Sequence, residues 1–578
     1  MSNYPILQKT ITNGYIFLLA MFGFMLLHRI LGYVGHFGYD DMIYCEYAQQ
    51  IASHTFSFND DHFSYRTAIS GLVGLSFWLF GVNDAAASTM PLLITFLTAW
   101  MVLSAHPNRS AIAVCLSLTL FCLNNWTFFY SDKVMPDSLV AFSTMGAFTS
   151  IYRFRYISTN TGLSNAAGHA FVFCAFLLFG FLAKETIWFV VPALAWVFFS
   201  DILHKRNVDF WLFSFTIGAI LLLIYFGWIW KLTGHPFSRF HAIDGNGYFM
   251  PECSFDRLPW KNLIERITYK QFFVFVSGGM IIGIAFAVPS FFRIKFKALY
   301  TLADGNVYWL VVSALLFLSG YFWTTSFRHY MPMCPDPRHY LFFIPPAAIV
   351  AGTELQRFFK FAENKWFWVI LPLVLSAITF FQQQYGILVL IYLPMTLLFG
   401  GRSLLPAFRS QQKQSFNSEN SKHESGNKSK GFVYWAFAAG FVFIMSGYQV
   451  YHIYSAQNNA YSVQKQLIYG FFKPMPHHAV IITNEVQKNF ARYYYGFQTG
   501  KHTFITFKEA KTYPFKEEVA TYILLNGHTQ WMSGKGWEHY PDFVKQPPAS
   551  FEKVEEQKNI TVYLVKDLNI LKEWQLSK

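Results

Sequence analysis

The chain opens on the apolar run YIFLLAMFGFMLLHRILGYV, and runs of similar length return along most of the sequence. Crossing a bilayer takes roughly 20 apolar residues in helix. On that measure thirteen spans are predicted, at about 14–33, 88–105, 110–130, 135–152, 168–183, 186–200, 210–230, 272–291, 307–325, 340–353, 366–382, 384–400 and 431–451. Basic residues gather in alternate loops: Arg109, then Arg153 and Arg155, then Lys205 and Arg206, then Arg293, Lys295 and Lys297, then Arg357, Lys360 and Lys365. Cytoplasmic loops collect Lys and Arg, so a cytoplasmic N-terminus puts every one of these loops inside. The linker Arg409–Gly431 has a disordered composition and falls on the same side. The first span is expected to be retained, since no small-residue cleavage site follows it.

This topology leaves outside a loop from about Gly35 to Ala87, the turns YSDKVMPDS and AKET, the loop Lys231–Gln271, the segment TTSFRHYMPMCPDPRHY, and all that follows about Tyr451. In the tail, HAVIITN, HTFITF, ATYILLNG and ITVYLVK have strand patterning, and EVQKNFARYYYG has helical patterning. The expected fold class is a polytopic α-helical membrane protein with a C-terminal α/β extracytoplasmic domain. The expected domains are a membrane catalytic module over 1–400 with surface helices in its first exterior loop, a linker over 401–430, a last span over 431–451 and the small domain over 452–578.

Composition agrees with that division: of 578 residues, 53% are hydrophobic, 20% aromatic and only 13% charged. A soluble protein of this length carries far more charge. The net charge of +13 does not point to nucleic acid, because the basic residues sit in short loops between apolar runs. Cys115, Cys122 and Cys174 fall in spans, while Cys45, Cys253 and Cys334 fall outside, where a Cys253–Cys334 disulfide is one option. His329, Cys334 and His339 match no common zinc spacing.

Directly after the first span comes GYDDMIYCEYAQQIA, with two adjacent carboxylates, Asp40 and Asp41. Asp40, Tyr44, Tyr47 and Ile51 recur at helical spacing, so the pair opens a short helix along the membrane surface. An aspartate at a helix start accepts backbone N–H bonds and meets the positive end of the dipole. Asparagine caps about as well, so capping alone predicts that Asn at either position leaves the fold nearly intact.

That acidic pair leading into an amphipathic helix, then FSYRTAISGLVGLSFWLFGV, MPDSLVAFSTMGAF, FGFLAKETIWFVVPAL and DPRHYLFFIPPAAIVAG, in this order over roughly residues 14–355, resembles the GT-C superfamily of polytopic glycosyltransferases. The likeness is to glycosyltransferase family 39, the protein O-mannosyltransferase and aminoarabinose transferase group. It departs from the aminoarabinose transferases at Met42 and Ile43, where they carry an arginine, and at Arg66, where they carry a lysine.

The resemblance implies inverting transfer of a sugar from a polyprenyl-phosphate donor to a lipid, glycan or protein acceptor at the outer face, in a bacterial inner membrane with the active site toward the periplasm. Asp40 matches the family's first acidic residue, the base that takes the acceptor's proton; Asp41 orients the acceptor or caps the helix. Arg66, Lys184 and Arg338 are the cations available to a departing phosphate, each with the alternative role of a snorkelling interfacial charge. Asp137 and His339 complete the substrate-binding candidates, Asp137 with a capping alternative and His339 as a sugar or lipid contact. Packing suits Tyr44, Tyr47 and Tyr340, and Glu46 reads as helix surface. No cofactor is expected, with a divalent metal left open. The competing classes are a transporter, against which stand the absence of an internal repeat and the position of charges at span ends, and a non-catalytic assembly protein of envelope glycan synthesis. Tyr493, Tyr494, Tyr495 and Trp531 in the tail either stack on carbohydrate or form a core.

Reporter fusions test the topology: a fusion at Ser415 in the linker should report the cytoplasm and one after Tyr493 the exterior, and an exterior signal at the linker would overturn it.

Overall fold

The computed structural model describes residues 4–576 except 109, 159–161, 246–253, 327–328, 383–387, 406–424, 457–459, 499, 528, 530–539 and 559. Arg109, Cys253, Trp531 and most of the linker therefore lie outside the described residues, and Cys334 is disulfide-bonded. The chain divides into two compact units, one of Met1–Leu31, Phe58–Ile69 and Pro91–Ile453, the other of Gly32–Ser57, Ser70–Met90 and Tyr454–Lys578.

The first unit is helical. Among the described residues, seven helices are long and apolar enough to cross a membrane, and a bent pair makes an eighth. The other five expected spans are helical but fall short in length or apolarity, such as Ala111–Cys122 followed by Asn125–Tyr130, and Pro136–Tyr152. The continuous span expected at 272–291 is instead broken, its two halves, Trp260–Ser277 and Ile281–Phe291, bent by 117°. Gly278 and Gly279 explain the bend. Gly279 has φ +69°, and a Cβ at either glycine would lie 2.6 Å from Trp126 Nε1 or Asn125 Nδ2.

Small residues let helices approach closely, as membrane packing requires. Gly180 faces Ile187 and Ser143, and Gly352 meets the backbone of Ser117. Some buried polar groups in this interior are tied to the backbone. Arg402, fully buried, donates to the carbonyls of Phe359 (2.6 Å) and Lys360 (3.1 Å) at the end of the Ile344–Phe361 helix. Two loop arginines read as topology signals also form ion pairs, Arg155 with Asp201 and Arg293 with Glu354 and Glu363.

The second unit joins the tail to parts of the first exterior loop. The tail holds a five-stranded sheet in the order β2-β1-β3-β5-β4, with β1 Ala479–Thr483, β2 Thr503–Thr506, β3 Ala520–Asn526, β4 Phe551–Gln557 and β5 Ile560–Val565. β1 lies parallel to β2 and β3 and is buried at all five positions, which suits its unbroken apolar run. β5 pairs antiparallel with β3 and β4. Four strands match the expectation. β4, FEKVEEQ, is an added edge strand whose charges guard against edge-to-edge pairing. Val480, Ile482, Phe507, Ile523, Val544 and Leu571 form the core, and the Glu485–Tyr494 helix follows β1 from an Asn484 cap. Tyr493 and Tyr494 are buried.

A side chain at Gly352 would fall 2.7 Å from Ser117 N and 2.9 Å from its Cα. Gly352→Val should therefore destabilise the detergent-solubilised protein by about 1–3 kcal/mol. Gly283→Ala, with nothing within 4 Å of the new Cβ, should leave the melting temperature unchanged or slightly higher.

Candidate functional site

Two polar constellations stand out, one in each unit. In the first unit, the Leu163–Ala183 helix stops at Lys184, whose backbone is extended (φ −165°, ψ 148°), before a short 3-10 turn begins at Glu185. Extended backbone sends successive side chains to opposite sides. Lys184 Nζ thus reaches Asp137 Oδ1 at 2.7 Å and His339 Nδ1 at 3.0 Å, while His339 Nδ1 lies 3.2 Å from the same Asp137 oxygen. Glu185 takes Arg66 Nη2 at 2.9 Å on Oε2 and Arg239 Nη2 at 3.2 Å on Oε1.

Arg239 is 1% exposed, with its guanidinium carbon 4.2 Å from the centre of the Phe181 ring. Its Nε and Nη1 are buried and make no well-formed hydrogen bond among the described residues, with the Tyr225 hydroxyl beside the guanidinium. Since buried polar groups are normally paired, those nitrogens mark a place for an acceptor. Arg338 forms an ion pair with Asp336, Nε lying 3.0 Å from Oδ2, and Asp336 caps the turn that carries both Arg338 and His339. Burial pulls the Lys184 ammonium below its usual range; Asp137 opposes that pull, and Arg338 and Arg66 add to it. Burial, with Lys184 beside it, likewise holds His339 below the ordinary histidine value.

The structure thus brings together Arg66, Asp137, Lys184, Arg338 and His339. Sequence reasoning missed Glu185 and Arg239. Glu185 was visible as the charged neighbour of Lys184 in AKET, and Arg239 as an arginine among aromatics in PFSRFHAID. Lys133, in the turn that precedes Asp137, is fully buried and paired with Asp132.

In the second unit, the Asp40–Ala52 helix starts from Tyr39, which makes no side-chain cap. Asp41 does not cap the helix in the expected way. It is fully buried and reaches back to accept the backbone N–H groups of Phe37 (2.5 Å), Gly38 (3.0 Å) and Tyr39 (3.0 Å). These bonds use both carboxylate oxygens, so the asparagine equivalence expected for capping does not hold here; an amide supplies one acceptor oxygen. His36, also fully buried, lies 3.5 Å from Asp41 Oδ2 and 3.5 Å from Asp84 Oδ1, and Asp84 Oδ2 pairs with Lys465 at 2.7 Å. Asp40 is half-buried and lines a cleft with residues of the tail. Glu46, on the same helix, is ion-paired with Arg492. Tyr44, Tyr47 and Tyr340 are packed in the interior. His329 bonds Asp256, and no group of three His, Cys, Asp or Glu side chains suited to a metal occurs among the described residues.

Burial alone would lower the His36 pKa, but the Asp41 and Asp84 carboxylates outweigh it and hold the ring above its ordinary 6.5. The folded protein therefore binds this proton more tightly than the unfolded chain does. Its contribution to stability is complete below about 6.5 and is lost as pH rises through the raised folded value. Melting scans from about pH 5 to pH 9 should show that decline in the parent. In His36→Gln the decline should be absent and stability lower at the acid end.

No family model matches the chain, and no curated protein matches it. Solved structures do. ArnT from Cupriavidus metallidurans bound to undecaprenyl phosphate aligns with a TM-score of 0.54 at 12% identity, covering 98% of this chain and 98% of that one. The apo form of the same protein aligns with a TM-score of 0.55 at 12% identity over 94% and 97%. At this identity the likeness is one of fold, and it extends over nearly the whole of both chains.

Proposed function

From a polytopic chain with a GT-C-like fold, we propose an inverting glycosyltransferase that moves a sugar from a polyprenyl-phosphate donor to an acceptor at the outer face of the cell membrane. In a bacterium this is the periplasmic face of the inner membrane. The observation that carries the reading is the buried cation cluster of the first unit, above all Arg239 with two buried nitrogens that make no well-formed hydrogen bond among the described residues. A guanidinium so placed suits the oxygens of a phosphate. Undecaprenyl phosphate is what ArnT holds in its solved complex.

The reaction needs two things from the protein. A base must take the acceptor's proton as its oxygen attacks the anomeric carbon, and Asp40, half-buried and facing a cleft, is that base. Positive charge must then meet the negative charge that develops on the leaving phosphate. Arg66, Lys184, Arg239 and Arg338 supply it, with Glu185 and Asp137 holding three of them in fixed geometry. Asp41 serves by fixing the loop that presents Asp40, a positioning role. No cofactor enters these steps.

Release of polyprenyl phosphate by purified variants tests this. Asp40→Asn should lose on the order of 10²- to 10⁴-fold in turnover while its melting temperature stays near the parent's. Asp41→Asn should instead be destabilised by about 1–3 kcal/mol, the cost of leaving a buried donor unsatisfied, with residual turnover in the fraction that folds. Turnover of Asp40→Asn at the parent rate would remove Asp40 as the base.

A further inference from the structure

β1 and β2 of the tail are parallel, with Val480 paired to Thr503. Parallel neighbours begin at the same edge of a sheet, so the residues just before them, His478 on one side and Lys501 and His502 on the other, fall together. The contacts follow that register. His478 Nδ1 lies 2.6 Å from the Lys501 carbonyl, and Lys501 Nζ lies 2.7 Å from the carbonyl of Met475. A carbonyl only accepts, so both side chains donate. Gly500 brings the chain back over Tyr495, where a Cβ would fall 3.1 Å from the ring. Lys473, after the turn Ile468–Phe472, holds its ammonium 3.9 Å from the centre of the Tyr469 ring and 5.5 Å from that of Tyr495.

This edge contains buried donors that the fold leaves unused. His502 is 5% exposed and makes no well-formed hydrogen bond through either ring nitrogen, with the Phe472 carbonyl beside it. The Tyr495 hydroxyl is buried without a partner among the described residues, and burial pushes its pKa up to about 12, so it remains a donor. Buried polar groups are normally paired.

The edge is also positive. Residues 468–480 and 495–507 hold Lys473, Lys501 and three histidines, and no Asp or Glu. Neither lysine has a carboxylate partner among the described residues. The acidic residues before β3, Glu517 and Glu518, lie across β1 from β2, and Glu517 is paired with Lys572. Burial holds His502 below the ordinary histidine value; the Phe472 carbonyl opposes that, and Lys501 and His478 add to it.

We propose that this amino-terminal edge of the tail sheet binds a phosphate group, carried on a lipid head or on a soluble ester. Lys473 and Lys501 supply the point charges with which lysine meets phosphate. His478, His502 and the Tyr495 hydroxyl supply hydrogen bonds to its oxygens. A metal ion does not suit the place, since two ammonium groups repel it.

The test uses the full chain in lipid nanodiscs, read by amide hydrogen exchange at Met475, His478 and Lys501. The probes are phosphatidylglycerol mixed into phosphatidylcholine discs, and glycerol phosphate added to discs of phosphatidylcholine alone. At least one should slow exchange there by about threefold or more, with β3 unchanged and potassium chloride at equal ionic strength without effect. Protection by phosphatidylglycerol alone assigns a lipid head, and protection by glycerol phosphate assigns a site open to soluble esters. Lys473→Gln and Lys501→Gln, both exposed positions, should each lose part of the protection and together lose most of it, with the parent's melting temperature. No protection by either probe, equal protection by potassium chloride, or full protection in the double variant would overturn the proposal.

Discussion

A single extended residue, Lys184, interrupts two apolar helices, and the cation cluster of the first unit depends on that break. In a continuous helix Lys184 and Glu185 would point about 100° apart on one surface. In the extended conformation they turn to opposite sides, so the ammonium meets Asp137 and His339 while the carboxylate meets Arg66 and Arg239. Removing a charge from water costs several kcal/mol unless a counter-charge with good geometry compensates it. Glu185 serves two arginines at once.

The second unit solves a different problem. Its acidic pair is divided between the interior and the edge of a cleft. Asp41 does the holding from inside: buried, it gathers the three N–H groups that precede the helix and leaves its neighbour Asp40 at the edge of the cleft. His36 and Asp84 extend this network to Lys465 of the tail. Adjacent carboxylates of the same type thus take different roles, because the chain at a helix start turns one inward and the next outward.

Reading the sequence went furthest where the signal is local. Long apolar runs identify spans whatever their neighbours, and β1 of the tail, AVIIT, is legible because a strand buried on both faces is apolar at every position. β4 escaped since FEKVEEQ has no such pattern; its strand conformation follows from pairing with β5. The bend at Gly278–Gly279 was likewise hidden inside a run apolar enough for one span. Arg239 could be seen as one more exterior arginine, and nothing beside it in the chain announced that Glu185 and Phe181 would receive it.

What the sequence by itself determined is the membrane-spanning character of the chain, the succession of helices, the α/β tail, and the acidic pair that follows the first span. These rest on hydropathy and periodicity, which act within one or two dozen residues. The tertiary structure alone decided which charges meet: Arg66 and Glu185 are 119 positions apart, Lys184 and His339 are 155, and Arg492 and Glu46 are 446. It also decided that Asp41 is interior and Asp40 accessible. A charged residue's role is set by its counter-charge and its access to water, and both are properties of the packed chain.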